Sequence, residues 1–305
     1  MATNFRSAWR RYGLYYILLA PGVLFLLVYR YIPMAGIVIA FKDISPFEGL
    51  SGIITSPWVG FSHFKRFFSS YYFLNVLSNT LTINFWKILI GFPIPVLLAI
   101  MINEVRSPAY RRIVQTISYL PHFISWVVVA GLMNILLSSS SGMVNGLIKA
   151  SGGEPVLFLG DPKVFVPVLV ASALWKTIGW ESIIFLAALT GIDPSLYESA
   201  VMDGTKRWQR ILYITLPSIA PIIVIMFIFR IGRLVDMDFE QILLLYSPAV
   251  YGVSDIIDTY VYREGLERLA YSYATAVGLF KSAVAFLLIA STNRAAKKLG
   301  HDGIW

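Results

Sequence analysis

The sequence covers 305 residues, 57% hydrophobic and only 14% charged, with a mean hydropathy of +0.70; soluble domains carry roughly 25% charge, so much of this chain has lipid as its solvent. It has no cysteine, and its three histidines (His63, His122, His301) lie far apart, which excludes disulfides and thiolate metal sites and argues against a metal cluster. The net charge of +8 then reads as a membrane-topology signal, and no nucleic-acid partner is expected.

Arg6, Arg10 and Arg11 precede an apolar run from Leu14 that resembles the start of a signal peptide. No small-x-small cleavage site follows and the run continues through Val23–Tyr29, so an uncleaved first span is expected. A span needs about 20 mostly apolar residues. Residues 12–32, 76–102, 113–137, 164–190, 218–237 and 271–291 qualify, predicting an all-α membrane protein of six transmembrane helices forming a single domain over residues 1–305. Met34–Phe41 is too short to span and is expected to prolong the first helix. Between the first two spans Phe61, Phe64, Phe67, Phe68, Tyr71 and Tyr72 recur at helical spacing around Lys65 and Arg66, a pattern suited to a helix lying in the membrane surface.

Lysine and arginine set the orientation. Four alternate segments, around Arg6–Arg11, Arg106–Arg112, Lys206–Arg210 and Arg294–Lys298, hold 12 cations; the three opposite loops, 41–75, 138–163 and 238–270, hold 7 over a greater length. Both termini and the loop 191–217 therefore face the cytoplasm.

That loop carries the densest local signals. Asp193-Pro194-Ser195 starts a helix, with a capping residue followed by proline in the first turn. Glu198 falls near the helix start, where the dipole favours an anion. Leu196, Ala200 and Val201 form a small apolar face, and Gly204 supplies a left-handed break. Trp208, Ile211 and Leu212 begin a second helical face, and Pro217 and Pro221 open the fifth span. These residues by themselves also suit a plain connector between spans.

The loop resembles the signature of binding-protein-dependent ABC importer permeases: Glu-Ala-Ala, three residues, Gly, nine residues, Ile-x-Leu-Pro. Here Glu198-Ser199-Ala200 is followed by three residues, Gly204, nine residues and Ile214-Thr215-Leu216-Pro217, with Ser199 for alanine as the one departure. Asn79-Thr80-Leu81 and Leu120-Pro121 look like the carbohydrate branch of that family, and within it the chain looks most like the polysaccharide-type permeases that include alginate-oligosaccharide importers. The resemblance implies a type I importer permease in the bacterial cytoplasmic (inner) membrane, with a coupling helix between spans four and five. Glu198, Ser199, Ala200, Asp203, Gly204 and Pro217 would then engage a partner ATPase. It also implies a second permease subunit, expected to be a different chain, two ATPase subunits and an extracytoplasmic solute-binding protein. This chain contains no G-x-x-x-x-G-K-[ST] phosphate loop. It is therefore expected to be a transport subunit without enzymatic activity or cofactor, ATP and Mg being bound by the partner subunits.

Charges at mid-membrane cost about 2.5–3.5 kcal/mol each on insertion scales and face cavities when present. Lys87, Lys176, Arg230, Arg233 and Lys281 lie within the spans, against Glu181 and Asp236. Local pairs, such as Arg233 with Asp236 or Asp238, would use up too few of the cations, so an acidic solute is the simplest missing partner. Asn84 and Trp180, with Trp86, Trp126, Asn134 and Trp175 nearby, supply amide groups and flat rings suited to a sugar. The expected solute path is thus Asn84, Lys87, Lys176, Trp180, Glu181, Arg230, Arg233 and Lys281, and the expected solute is an oligosaccharide of polyuronate type. A neutral oligosaccharide is one alternative. An ion-coupled secondary transporter is another, although only one central carboxylate, Glu181, and no repeat are evident.

Overall fold

The computed structural model describes residues 5–232 and 239–298. Arg233, Asp236, Asp238 and the tail 299–305 lie outside the described residues. Among those described, every regular element is helical. Five helices are long and apolar enough to cross a membrane: Arg11–Phe41, Tyr72–Glu104, Pro162–Thr190, Arg207–Gly232 and Tyr271–Lys298. A sixth crossing requires Pro108–Phe123 and Trp126–Leu136 to count together, and these are bent by 100°.

Five of the six expected spans are therefore found, with different ends, and the third corresponds to the bent pair. Met34–Phe41 prolongs the first helix, as its apolar run suggests. The fifth begins at Arg207 rather than 218, because the basic aromatic stretch before Pro217 is helical as well. Two π-helical turns, Leu27–Tyr31 and Ile211–Thr215, each end two residues before a proline, Pro33 and Pro217. Proline cannot donate to the carbonyl four residues back and its ring crowds it, and the widened turn accommodates both defects.

The chain divides into two compact units: residues 1–70 with 261–280, and residues 71–260 with 281–305. In the first, Phe67 is fully buried and packs edge-on against Phe280, with ring centroids 5.6 Å apart, while Phe41, Phe61 and Phe64 cluster at 5.4–5.5 Å. Of the aromatic stripe expected on the membrane surface, Phe67 is internal and packs on the last helix, while Phe61, Phe68, Tyr71 and Tyr72 stay exposed. Lys42, counted as an outer-loop cation, is buried; its ammonium donates to the Ile53 and Ile54 carbonyls at 2.8 Å and lies over the Trp58 ring.

In the second unit the fourth span, Pro162–Thr190, is the hub, packing on Tyr72–Gly91, Pro93–Glu104, Pro108–Tyr119 and Leu216–Gly232. One core joins Phe165 and Leu169 to Ile83, Ile242 and Val250; another joins Phe185 and Leu189 to Val96, Ala99 and Ile219. Packing is closest at Gly179, where an added Cβ would lie 2.0 Å from the Ser118 carbonyl oxygen. Small residues let helix backbones meet in lipid, where burial against tails gives little drive and contact supplies the attraction. Gly179→Ala is expected to destabilise the purified protein by about 1–3 kcal/mol through overpacking. An unchanged midpoint of thermal unfolding in detergent would show that the helices separate at no cost.

The third span was expected to run unbroken over 113–137. Instead it closes with a tight turn, Leu120–Phe123, and restarts at Trp126, where the Ser125 hydroxyl accepts from the Val128 N–H at 3.4 Å. Pro121 and the extended backbone at Ile124 and Ser125 break the helix. The exposed carbonyls do not go unpaired: Lys176 from the hub donates to His122 O at 2.8 Å and Ile124 O at 2.6 Å. Lipid offers no water to do this, so a broken helix at membrane depth needs such a donor.

Candidate functional site

Two places gather the expected residues, and the first is the loop 191–217. Asp193 caps the helix Pro194–Met202 by accepting from the Ser195 N–H at 2.9 Å. That backbone bond, with a second from the Ser195 hydroxyl, holds the Asp193 carboxyl below its ordinary range. The cap is therefore complete above the ordinary carboxylate pKa and is lost only as pH falls through the lowered value. Glu198 and Ser199 are exposed. Of the apolar face expected from Leu196, Ala200 and Val201, only Ala200 is buried, at 9% exposure. Leu196 and Val201 stay open beside Met202, which is 87% exposed. The described residues cover the one small side chain and leave the larger ones uncovered.

Asp203 terminates the helix and Gly204 takes φ +73°, the left-handed region where a Cβ is strained. The turn is well bonded: Gly204 N–H donates to Val201 O at 3.0 Å, and the Thr205 N–H and hydroxyl both donate to Ala200 O, at 3.1 and 2.6 Å. The Lys206 N–H is then capped by Gln209 Oε1 at 2.7 Å, and the chain re-enters helix at Arg207. Sequence reasoning misses one pair altogether. The Tyr197 hydroxyl meets Thr215 Oγ1 at 2.9 Å, tying the short helix to the π turn below Pro217. The available signal was a lone hydroxyl-bearing ring on the short helix and a threonine inside the Ile-x-Leu-Pro segment.

The second place is a cavity of about 460 Å³ in the larger unit. Of the expected path residues it brings together Trp180, Glu181 and Arg230, and adds His122, Phe92 and Phe229. Trp180 stacks on the His122 ring, centroids 4.4 Å apart and planes 1° from parallel. Arg230 is ion-paired with Glu181, while its buried Nε has no hydrogen-bond partner among the described residues.

The other path residues among those described, Asn84, Lys87, Lys176 and Lys281, do not line this cavity. Asn84 bonds back to Thr80 O in its own helix at 2.7 Å. Lys87 donates to Gln241 Oε1 at 2.5 Å, and Gln241 in turn donates to Leu169 O and Ser172 Oγ at 2.9 and 2.8 Å. Lys176 is occupied by the broken span, over the Trp126 ring. Lys281 pairs with Asp258 at 2.6 Å. The expectation that intramembrane cations lack partners is therefore corrected for Lys87, Lys176 and Lys281. Backbone carbonyls, a buried amide and an aspartate from the segment assigned to an outer loop satisfy them, none of which a count of acids within the spans includes.

The comparisons agree with this architecture. The chain is 44% identical over 290 residues to the polygalacturonan/rhamnogalacturonan transport system permease protein YteP of Bacillus subtilis, covering 95% of this chain and 89% of that protein. A solved bacterial ABC transporter involved in the import of the acidic polysaccharide alginate contains a chain 43% identical, with a TM-score of 0.89 over 96% of this chain and 98% of that one. A bacterial alginate ABC transporter solved with an alginate pentasaccharide-bound periplasmic protein gives 42% identity and the same TM-score, covering 98% and 99%. The fold is that of a type I ABC importer permease, a multi-pass protein of the inner membrane. A family model for binding-protein-dependent transport system inner membrane components matches residues 91–301, and the chain belongs to that family.

Proposed function

We propose that residues 1–305 act as one transmembrane permease domain of an ATP-driven importer. It carries an acidic oligosaccharide of polyuronate type inward by alternating access. The ATPase lies in separate subunits that grip the loop through Glu198, Ser199, Ala200, Asp203 and Gly204, with Pro217 setting the start of the span they move. A second permease, a different chain, completes the path, and an extracytoplasmic binding protein delivers the sugar. Polygalacturonan and alginate, the polymers named for the relatives, are both chains of uronic acids, and that shared chemistry supports the solute class.

The observation that carries the reading is the cavity. Arg230 brings a guanidinium, matched to carboxylates, beside the flat faces of Trp180 and Phe229, matched to sugar rings. Trp180, Glu181 and Arg230 are accordingly the path residues of first rank. The test is ATPase activity and uptake by the complex reconstituted with its binding protein, offered tetragalacturonate, an alginate tetramer or maltotetraose. Stimulation by either acidic tetramer and not by maltotetraose is expected. Stimulation by maltotetraose alone would overturn the acidic class, and uptake on a proton gradient without ATP would overturn the importer.

A further inference from the structure

The short helix Pro194–Met202 must pass its displacement to a span if the loop is a handle, and among the described residues a side-chain bond is placed to do so. Tyr197 is half-buried and Thr215 is 2% exposed, and their hydroxyls lie 2.9 Å apart. The Thr215 hydroxyl also reaches Arg210 O, at 3.4 Å. A threonine hydroxyl has a single proton, so the arrangement that satisfies both contacts runs one way: Tyr197 O–H donates to Thr215 Oγ1, and Thr215 O–H donates to Arg210 O. The relay passes through Thr215 inside the π turn Ile211–Thr215 and ends at Arg210 O just before it, and Leu216 N–H bonds five residues back to Ile211 O. A π turn holds one residue more than an α turn, and such turns are sites where a helix changes register. The bonds from Thr205 to Ala200 O and from Gly204 to Val201 O close on the short helix itself, and that from Lys206 to Gln209 Oε1 closes on the next helix.

We propose that Tyr197 and Thr215 are positioning residues that transmit movement of the short helix into the fifth span, with the Ile211–Thr215 turn as the yielding element. This rests on the importer reading above. Loss of the bond loosens the transmission without removing the surface that an ATPase grips.

The test uses the whole reconstituted complex and measures sugar imported per ATP hydrolysed, with whichever of tetragalacturonate or the alginate tetramer the unaltered complex takes up faster. Tyr197→Phe and Thr215→Val should each lower that ratio about fivefold, the net worth of one hydrogen bond, while both still purify with their ATPase subunits. The double variant should be no worse than Thr215→Val alone, since that substitution already removes the bond from Tyr197. Thr215→Ser, which keeps the hydroxyl, should restore the ratio. A merely structural pair would lower the amount of complex and leave the ratio unchanged. An unchanged ratio in Tyr197→Phe, with the unaltered complex active, overturns the linkage alone. No ATP-driven uptake by the unaltered complex overturns the importer reading, and the linkage with it.

Discussion

Gly204→Pro is expected to abolish ATP-driven import while the spans remain inserted. Gly204 sits at φ +73°, whereas a proline ring holds φ near −65°, so the turn that follows Met202 cannot form. The substitution also deletes the N–H that bonds to Val201 O. A misplaced proline costs about 3 kcal/mol or more, which cuts the population of the native turn roughly a hundredfold. Gly204→Ala separates strain from crowding, because nothing lies within 4 Å of the added methyl. It retains the N–H and meets only the left-handed penalty, about 1–2 kcal/mol, so import should fall by about tenfold. Ala200→Trp attacks the same handle from its buried side and should block assembly with the ATPase. Uptake per inserted complex and copurification of the ATPase measure all three. Normal uptake in Gly204→Pro would mean that the loop is only a connector.

The second large effect is expected at Arg230 and Glu181. Removing one partner of this partly buried pair leaves the other charged and unpaired, which costs at most about 3–5 kcal/mol, whereas replacing both with apolar groups is close to neutral. Arg230→Met and Glu181→Leu should each lower the thermal midpoint of the purified complex sharply, and the double variant should recover most of it. Transport should not recover in the double variant if, as proposed, the Arg230 guanidinium meets a uronate carboxylate, because it is still missing. This separates the structural duty of the pair from its duty toward the solute. Full recovery of acidic-sugar import in the double variant would reduce Arg230 to a counter-ion for Glu181.

The physical range of each signal explains what could be read in advance. The spans were legible because hydropathy is summed over some 20 neighbouring residues. The loop was legible because Asp193 meets Ser195 two residues on and Gly204 needs only its own φ. The break in the third span was half visible: Pro121 and Ser125 are a breaker and a cap, yet the run on either side stays apolar and reads as one span.

By itself the sequence determined that this is a helical membrane protein, where its spans lie, which side carries the positive charge and where a capped, glycine-ended loop interrupts them. These follow from composition, spacing and local backbone chemistry. Only the tertiary structure decided which intramembrane cations face a cavity. Lys87 finds Gln241 154 residues away, Lys176 finds carbonyls more than 50 residues back, and Arg230 finds Glu181 across 49. A charge in a low-dielectric interior takes whichever dipole or counter-charge packing brings within reach, whether amide, carbonyl or carboxylate. A count of acids along the chain cannot supply that, and the same holds for the 18-residue separation bridged by Tyr197 and Thr215.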